Sequence, residues 1–192
     1  MNVYDFDGTI YNGESTFDFY LYSVKKQPAL IKYLFVVVKT LLLYKLCRIS
    51  EEKLLFLAKK YAKQYLTEIK DIDAKIIDFW DKNQHKIKRF YLDQQQEDDV
   101  VISASIDFIL EEIFRRIGIK HALSTQVDKH TGEVLSLCFR KTKADLFQAK
   151  YKDAVIDHFY TDSFNDSPMI ALAKRSYLVK GNRISLLHEK DN

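Results

Sequence analysis

Asp5 and Asp7 stand two residues apart in the run Asp5-Phe6-Asp7-Gly8-Thr9, at the end of an apolar, β-prone stretch over residues 1–6. That stretch predicts a short buried strand which stops at a glycine. Carboxylates at the carboxyl end of a strand lie in the crevice where open α/β sheets bind ligands. Two acids so close repel each other, and one pKa rises unless a cation sits between them. A hard divalent ion resolves the conflict, and Mg²⁺ suits one or two carboxylates together with phosphate and water. A carboxylate beside such an ion can also act as a nucleophile. An Asp-x-Asp-Gly run serves equally well as a polar turn, so the rest of the chain has to decide.

Three further segments supply what metal-assisted phosphoryl transfer requires. Residues 99–105 form a second apolar strand that ends in Ser103-Ala104-Ser105, ahead of a helix over about 106–117. A serine hydroxyl and backbone N–H groups at a helix N-terminus hold phosphate oxygens, although either serine could simply cap the helix. Lys141 and Lys143 open the amphipathic segment KTKADLFQAKY. An ammonium there could offset charge on phosphate and nucleophile, whereas most surface lysines have no specific task. A third strand over 155–161 then leads into Asp162-Ser163-Phe164-Asn165-Asp166.

In this order the four segments resemble the haloacid dehalogenase superfamily of phosphohydrolases, over residues 1–12 and about 97–192. The resemblance implies that Asp5 is the nucleophile and Asp7 the general acid/base. It puts Ser103 on the phosphate and makes Asp162 and Asp166 ligands of a Mg²⁺ ion shared with Asp5 and Asp7. Thr9, Ala104 and Asn165, inside the same motifs, join Ser103 as phosphate- or substrate-contacting positions. An acid two residues past the nucleophile favours a phosphatase over the dehalogenases. The third motif is less regular. Cys138-Phe139-Arg140-Lys141-Thr142-Lys143 is similar to the Cys-x-Gly-x-x-Lys of the phosphoserine phosphatase branch, which points to Lys143. Arg140 stands where that branch has glycine, Lys141 is near enough to compete, and a guanidinium at 140 could itself reach substrate.

The 192 residues allow one core domain with a modest insertion. Thirty basic against 27 acidic residues leave a net +3, with no basic run interleaved with aromatics, which argues against a nucleic-acid partner. Cys47 and Cys138 have no paired spacing, so neither a disulfide framework nor a zinc site is expected. The five histidines show no ligand spacing. Because the chain opens on the candidate strand, no signal peptide is predicted and the cytoplasm is the expected compartment.

The predicted fold is α/β: a Rossmann-like parallel-sheet core, residues 1–12 and 97–192, with an all-helical cap inserted over 13–96. Within the cap, a long apolar helix is expected over 28–47, started by Pro28. A second follows Ser50-Glu51-Glu52 as an N-cap with acids in the first turn. A third stretch carries Ile69, Ile72, Ile76, Phe79, Trp80 and Ile87. Such a cap closes over phosphate chemistry and excludes water. In the core, Gly118 ends a helix and a hairpin turns around 129–132. Residues 177–180 read as the last strand, with 188–192 frayed.

The substrate is less legible. Glu14 lies nine residues after Asp5, where phosphoserine phosphatases bind the substrate ammonium, so the resemblance implies a small phosphorylated metabolite such as a phospho-amino acid. Segment 29–47 is unusually apolar for that task. A spanning helix needs about 20 mostly apolar residues, and Lys39 near its middle would cost roughly 3 kcal/mol. The segment therefore reads either as a helix packed within the cap or as a peripheral membrane contact with lysines near lipid headgroups. An apolar first cap helix followed by Arg48-Ile49-Ser50 also resembles the phosphatidylglycerophosphatase C-like branch, which keeps a lipid-phosphate phosphatase in play. A phosphotransferase or a non-catalytic phospho-ligand binding protein would carry the same motifs, and the sequence leaves the oligomeric state open.

Overall fold

A computed structural model describes residues 1–46 and 48–190. Its centre is a seven-stranded sheet in the order β4-β3-β2-β1-β5-β6-β7. The strands are β1 (Asn2–Asp5), β2 (Val100–Ile106), β3 (His121–Val127), β4 (Val134–Ser136), β5 (His158–Thr161), β6 (Arg175–Lys180) and β7 (Arg183–Glu189). The inner five run parallel, and β4 and β7 are antiparallel edges. Strand β1 lies between β2 and β5, with Asp5 opposite Ile102 and Tyr4 opposite Tyr160. The chain runs from β1 to β2, β3 and β4 on one side and then crosses to β5 on the other side of β1, and that reversal opens the crevice in which α/β sheets bind ligands.

β1 is fixed by burial on both faces. Val3, Tyr4 and Phe6 have no exposed surface. On one face Tyr4, Tyr160 and Tyr177 stack across three adjacent strands with ring centroids 4.7 and 4.9 Å apart. Such cross-strand aromatic pairs stabilise register.

Helices of residues 15–94 form the insertion between β1 and β2: α1 (Ser15–Lys26), α2 (Lys32–Lys45), α3 (Glu51–Glu68), α4 (Ile72–Asn83) and α5 (Arg89–Gln94). The core contributes α6 (Asp107–Ile117), α7 (Lys141–Lys150) and α8 (Ser167–Leu172). The insertion and the rest of the chain share one hydrophobic cluster, in which Phe19, Phe79 and Trp80 of the inserted helices meet Phe6, Tyr11 and Phe114. Trp80 Nε1 donates to the Ile109 carbonyl at 2.6 Å, tying α4 to α6. The predicted cap Ser50 accepts from the Lys53 N–H at 3.2 Å, and Gly118 closes α6 with a left-handed φ of 76°.

Several boundaries differ from the sequence expectation. The long helix over 28–47 is divided: Pro28–Ile31 is a 3₁₀ turn, and α2 begins only at Lys32. Cys47 lies outside the described residues. Among its described side chains, packing holds one side of this segment. Leu30, Tyr33 and Thr40 are buried, while Phe35, Val38 and Leu42 are exposed. Among the described residues no helix is long and apolar enough to cross a membrane. The third helical stretch ends at Asn83, and Ile87 forms a bridge to Tyr11 that returns the chain to the core. Helices α1 and α5 lie outside the three expected helical stretches. At the C-terminus the expected last strand is followed by another. Residues 183–189 turn back onto β6, so His188 and Glu189 are ordered, with Glu189 on Arg175 at 2.7 Å. As a mostly exposed edge strand, β7 has no buried alternation to announce it. Asp191 and Asn192 lie outside the described residues.

Candidate active site

The carboxyl ends of β1, β2 and β5 and the start of α7 meet at a cavity of about 320 Å³. Asp5, Asp7, Lys143, Asp162 and Asp166 line it. Lys143 Nζ lies 2.7 Å from Asp5 Oδ1 and 3.0 Å from Asp166 Oδ2, an ion triad with almost no exposed surface. Thr161 Oγ1 donates to the same Asp166 oxygen at 2.9 Å. Of the two lysines, Lys143 reaches the acids, whereas Lys141, earlier in the first turn of α7, is exposed.

Asp7 is held differently. Its Oδ1 accepts the Ser15 N–H at 2.6 Å and its Oδ2 accepts Ser105 Oγ at 2.5 Å. Ser15 is the first residue of α1, so Asp7 satisfies an otherwise unpaired amide at that helix N-terminus, where negative charge is favoured. Core acid and cap helix are thus directly joined. Asp162 enters from the end of β5, packed against Gly8, whose φ of 70° and missing side chain allow the approach. Any β-carbon at position 8 would overlap the Asp162 carboxylate.

Burial dominates the electrostatics. It pushes Asp5 up to about 8, with Lys143 pulling back and Asp166 adding to the rise. It also raises Asp7, opposed by the bonds from Ser105 and Ser15. Asp162 is raised by burial, opposed by Lys180. Burial pulls Lys143 down, but Asp5 and Asp166 outweigh it and the ammonium is held above its ordinary value. Glu14, at the mouth, is raised by burial and then by Asp7 and Asp162.

The other expected site residues divide into two groups. Ala104, Glu14 and Asn165 line the cavity. Ser103 and Thr9 do not; both are fully buried. Ser103 Oγ accepts the Ser105 N–H at 3.1 Å, and Thr9 Oγ1 has no partner. Arg140 does not line the cavity either: its guanidinium lies over the Phe139 ring, 5.0 Å from the centroid. Ser105 bonds Asp7, Ser15 supplies the second bond, and buried Lys88 donates to the Gly8 carbonyl beside the acids. Ser105 lies in the second motif, where the sequence left phosphate contact and helix cap open, and its bond to Asp7 is what the structure adds; Ser15 and Lys88 escaped the sequence reading. Both come from the insertion and carry no motif.

Whether these residues suit Mg²⁺ rests on donor chemistry. Among the described residues no three acidic, His or Cys side chains already converge as a ligand set; Lys143 bridges Asp5 and Asp166, while Ser15 and Ser105 hold Asp7. All the donors are oxygens, and Asp5, Asp7 and Asp162 are each raised by burial. A hard oxygen-seeking cation fits that set.

Residues 3–171 match the family model described as haloacid dehalogenase-like hydrolase. A protein of Mycobacterium tuberculosis described as a probable phosphatase is 33% identical over 94 residues, 45% of this chain and 33% of that protein. The chain thus spans about a third of the length of the curated relatives it matches. Among solved structures, a Bordetella pertussis protein of unknown function superposes with a TM-score of 0.69 at 16% identity, over 92% of this chain and 87% of that one. A substrate-bound phosphoserine phosphatase gives 0.55 at 17% identity, over 91% and 82%.

Proposed function

Since the chain belongs to the haloacid dehalogenase-like hydrolases, we propose that it is a Mg²⁺-dependent phosphomonoester hydrolase working through an aspartyl-phosphate on Asp5. One observation carries this reading: Lys143 joins Asp5 to Asp166 on the floor of a cavity, while Asp7 is held beside them by Ser15 and Ser105. Asp5 Oδ attacks phosphorus, and the bond from phosphorus to the ester oxygen breaks. Asp7, held protonated more readily than an exposed carboxyl, gives its proton to that oxygen and releases an alcohol. Water then attacks phosphorus while Asp7 takes its proton, the aspartyl ester breaks, and inorganic phosphate leaves.

Lys143 offsets charge on the nucleophile and the phosphoryl oxygens. Asp5, the Asp7 backbone carbonyl, Asp162 and Asp166 would hold Mg²⁺, which supplies charge neutralisation of the transferring group. Ala104 and Ser105 contribute the end of β2 to the phosphate pocket. The inserted helices form the cap over residues 13–96 and exclude water from the reaction. The test is release of phosphate from an aryl phosphate by purified protein with Mg²⁺. We expect Asp5→Asn to abolish it, because an amide is a poor nucleophile. Undiminished turnover by that variant would overturn the assignment.

A further inference from the structure

A second cavity, of about 370 Å³, lies under the cap and adjoins the catalytic one. Glu14, Thr16, Ser105 and Ile106 line both, so the two are chambers of one space divided by a shared wall. Beyond that wall the lining is almost entirely apolar. Phe17 and Tyr20 come from α1, Leu34 and Val37 from α2, and Ala62, Tyr65 and Leu66 from α3, where the buried Tyr65 hydroxyl has no partner of its own among the described residues. The volume is more than twice the roughly 150 Å³ of an apolar cavity that takes up benzene.

Resting on the phosphatase reading, we propose that this chamber receives the leaving group of the substrate, and that the substrate is a phosphomonoester of a hydrophobic alcohol. The direction follows from the acid. Asp7 must reach the ester oxygen, and Asp7 is bonded to Ser105, which belongs to the shared wall. With phosphorus at Asp5, the carbon attached to that oxygen points past Ser105 and Ile106 into the apolar chamber. A phospho-amino acid or sugar phosphate would carry amines or hydroxyls into walls that offer them few partners, and an unpaired buried polar group is costly. Among the described residues that line the chamber, Glu14 alone is charged, and it stands at the boundary with the acids. An alkyl or ring system leaves no such group unpaired.

The test is a series of ethyl, butyl, hexyl and octyl phosphates, kept monomeric and assayed with Mg²⁺. Burial of each added methylene should raise kcat/KM about fourfold until the chamber is full, and O-phosphoserine should fall below butyl phosphate. Ala62→Trp fills the chamber and should collapse the octyl-to-ethyl ratio towards one. Circular dichroism verifies its fold, and Val37→Asp should give the same collapse by adding a charge. A matching series of alkylphosphonates reads binding without turnover, through the rise in melting temperature. Hydrolysis with a flat chain-length profile, or a preference for O-phosphoserine, would overturn the leaving-group assignment and leave the phosphatase reading standing. Phosphonate binding that strengthens with chain length, without hydrolysis of any ester, would uphold the apolar chamber and overturn the phosphatase reading.

Discussion

The two adjoining chambers are built in opposite ways from the same chain. The polar one is made by strand ends and the first turns after them: Asp5 sits in the ladder opposite Ile102, Ser105 lies near the end of β2, and Asp162 directly follows β5. Its side chains are buried charges whose pKa values are shifted by lost solvation. The apolar one is made by the faces of three helices, and its size depends on how far α2 and α3 stand from α1. A small displacement of a strand end breaks hydrogen bonds at once. A small displacement of a helix only alters a volume. The first chamber is thus suited to chemistry common to many substrates, and the second to selection among them.

The largest effect that would sharpen this contrast is on turnover. Asp7→Asn keeps the shape of the side chain but cannot transfer the proton, and should lower kcat by about 10²- to 10⁴-fold on aryl phosphate. Substitutions confined to the far wall of the apolar chamber should change the ranking of substrates far more than the rate on the smallest of them. Steady-state kinetics on both sets measures this, and equal losses in both would erase the distinction.

Lys143→Met comes next. It leaves Asp5 and Asp166 facing each other without their ammonium, and breaking a buried ion pair from one side costs about 3–5 kcal/mol. Lys141→Met, on an exposed side chain, should stay within about 0.5 kcal/mol of the parent. Denaturant unfolding without metal compares the two. Equal stabilities would mean that the triad is not closed in solution.

The polar chamber was legible in the sequence and the apolar one was not, for the same structural reason. Asp5, Asp7, Asp162 and Asp166 follow β-prone runs within a few residues, so local pattern alone places them at strand ends. The sheet, the helical insertion and Ser50 as a cap follow from equally local signals. The chamber under the cap needs residues 17, 34 and 62 to converge, and only the packing of three helices determines that. Helix α1 is not among the helices delimited from the sequence, and that its first residue Ser15 meets Asp7 follows only from packing. Strand β7 lacks the alternation of a half-buried strand because its residues are almost all exposed.

The pH dependence of the metal-free protein distinguishes the chambers more gently. Asp5, Asp7 and Asp162 have folded-state pKa values above those of exposed carboxyls, Asp5 at about 8. Above the unfolded value of about 4 the folded protein binds more protons than the unfolded chain at these positions. Their contribution to stability is therefore fully present below about pH 4 and is lost as pH rises through the folded values, up to about 8 for Asp5. Melting temperature without metal should fall over that window, and saturating Mg²⁺ should raise it more at pH 8 than at pH 5. Ala62→Trp should move the whole curve without changing this slope. A metal-free stability that rises from pH 5 to 8 would contradict the crowding of acids on which the site rests.

The smallest expected effect lies at the rim of the polar chamber. Arg140 precedes α7, which carries Lys143, and its backbone has a φ of 52° and a ψ of −120°, a conformation that suits glycine and strains any other residue. The resemblance to the phosphoserine phosphatase branch implies glycine at this position. The guanidinium over Phe139 offsets part of the strain, since an exposed cation–π contact contributes about 0.5–1 kcal/mol. Replacing Arg140 directly would mix the two contributions, so the informative comparison is between Arg140→Gly and Arg140→Ala, which both lose the guanidinium. Glycine relieves the backbone and alanine does not, and the glycine variant should be the more stable by about 1 kcal/mol. Chemical denaturation of the pair measures the difference. An alanine variant at least as stable as the glycine variant would show that α7 begins with a relaxed turn, and that Lys143 reaches Asp5 without backbone strain at its helix start.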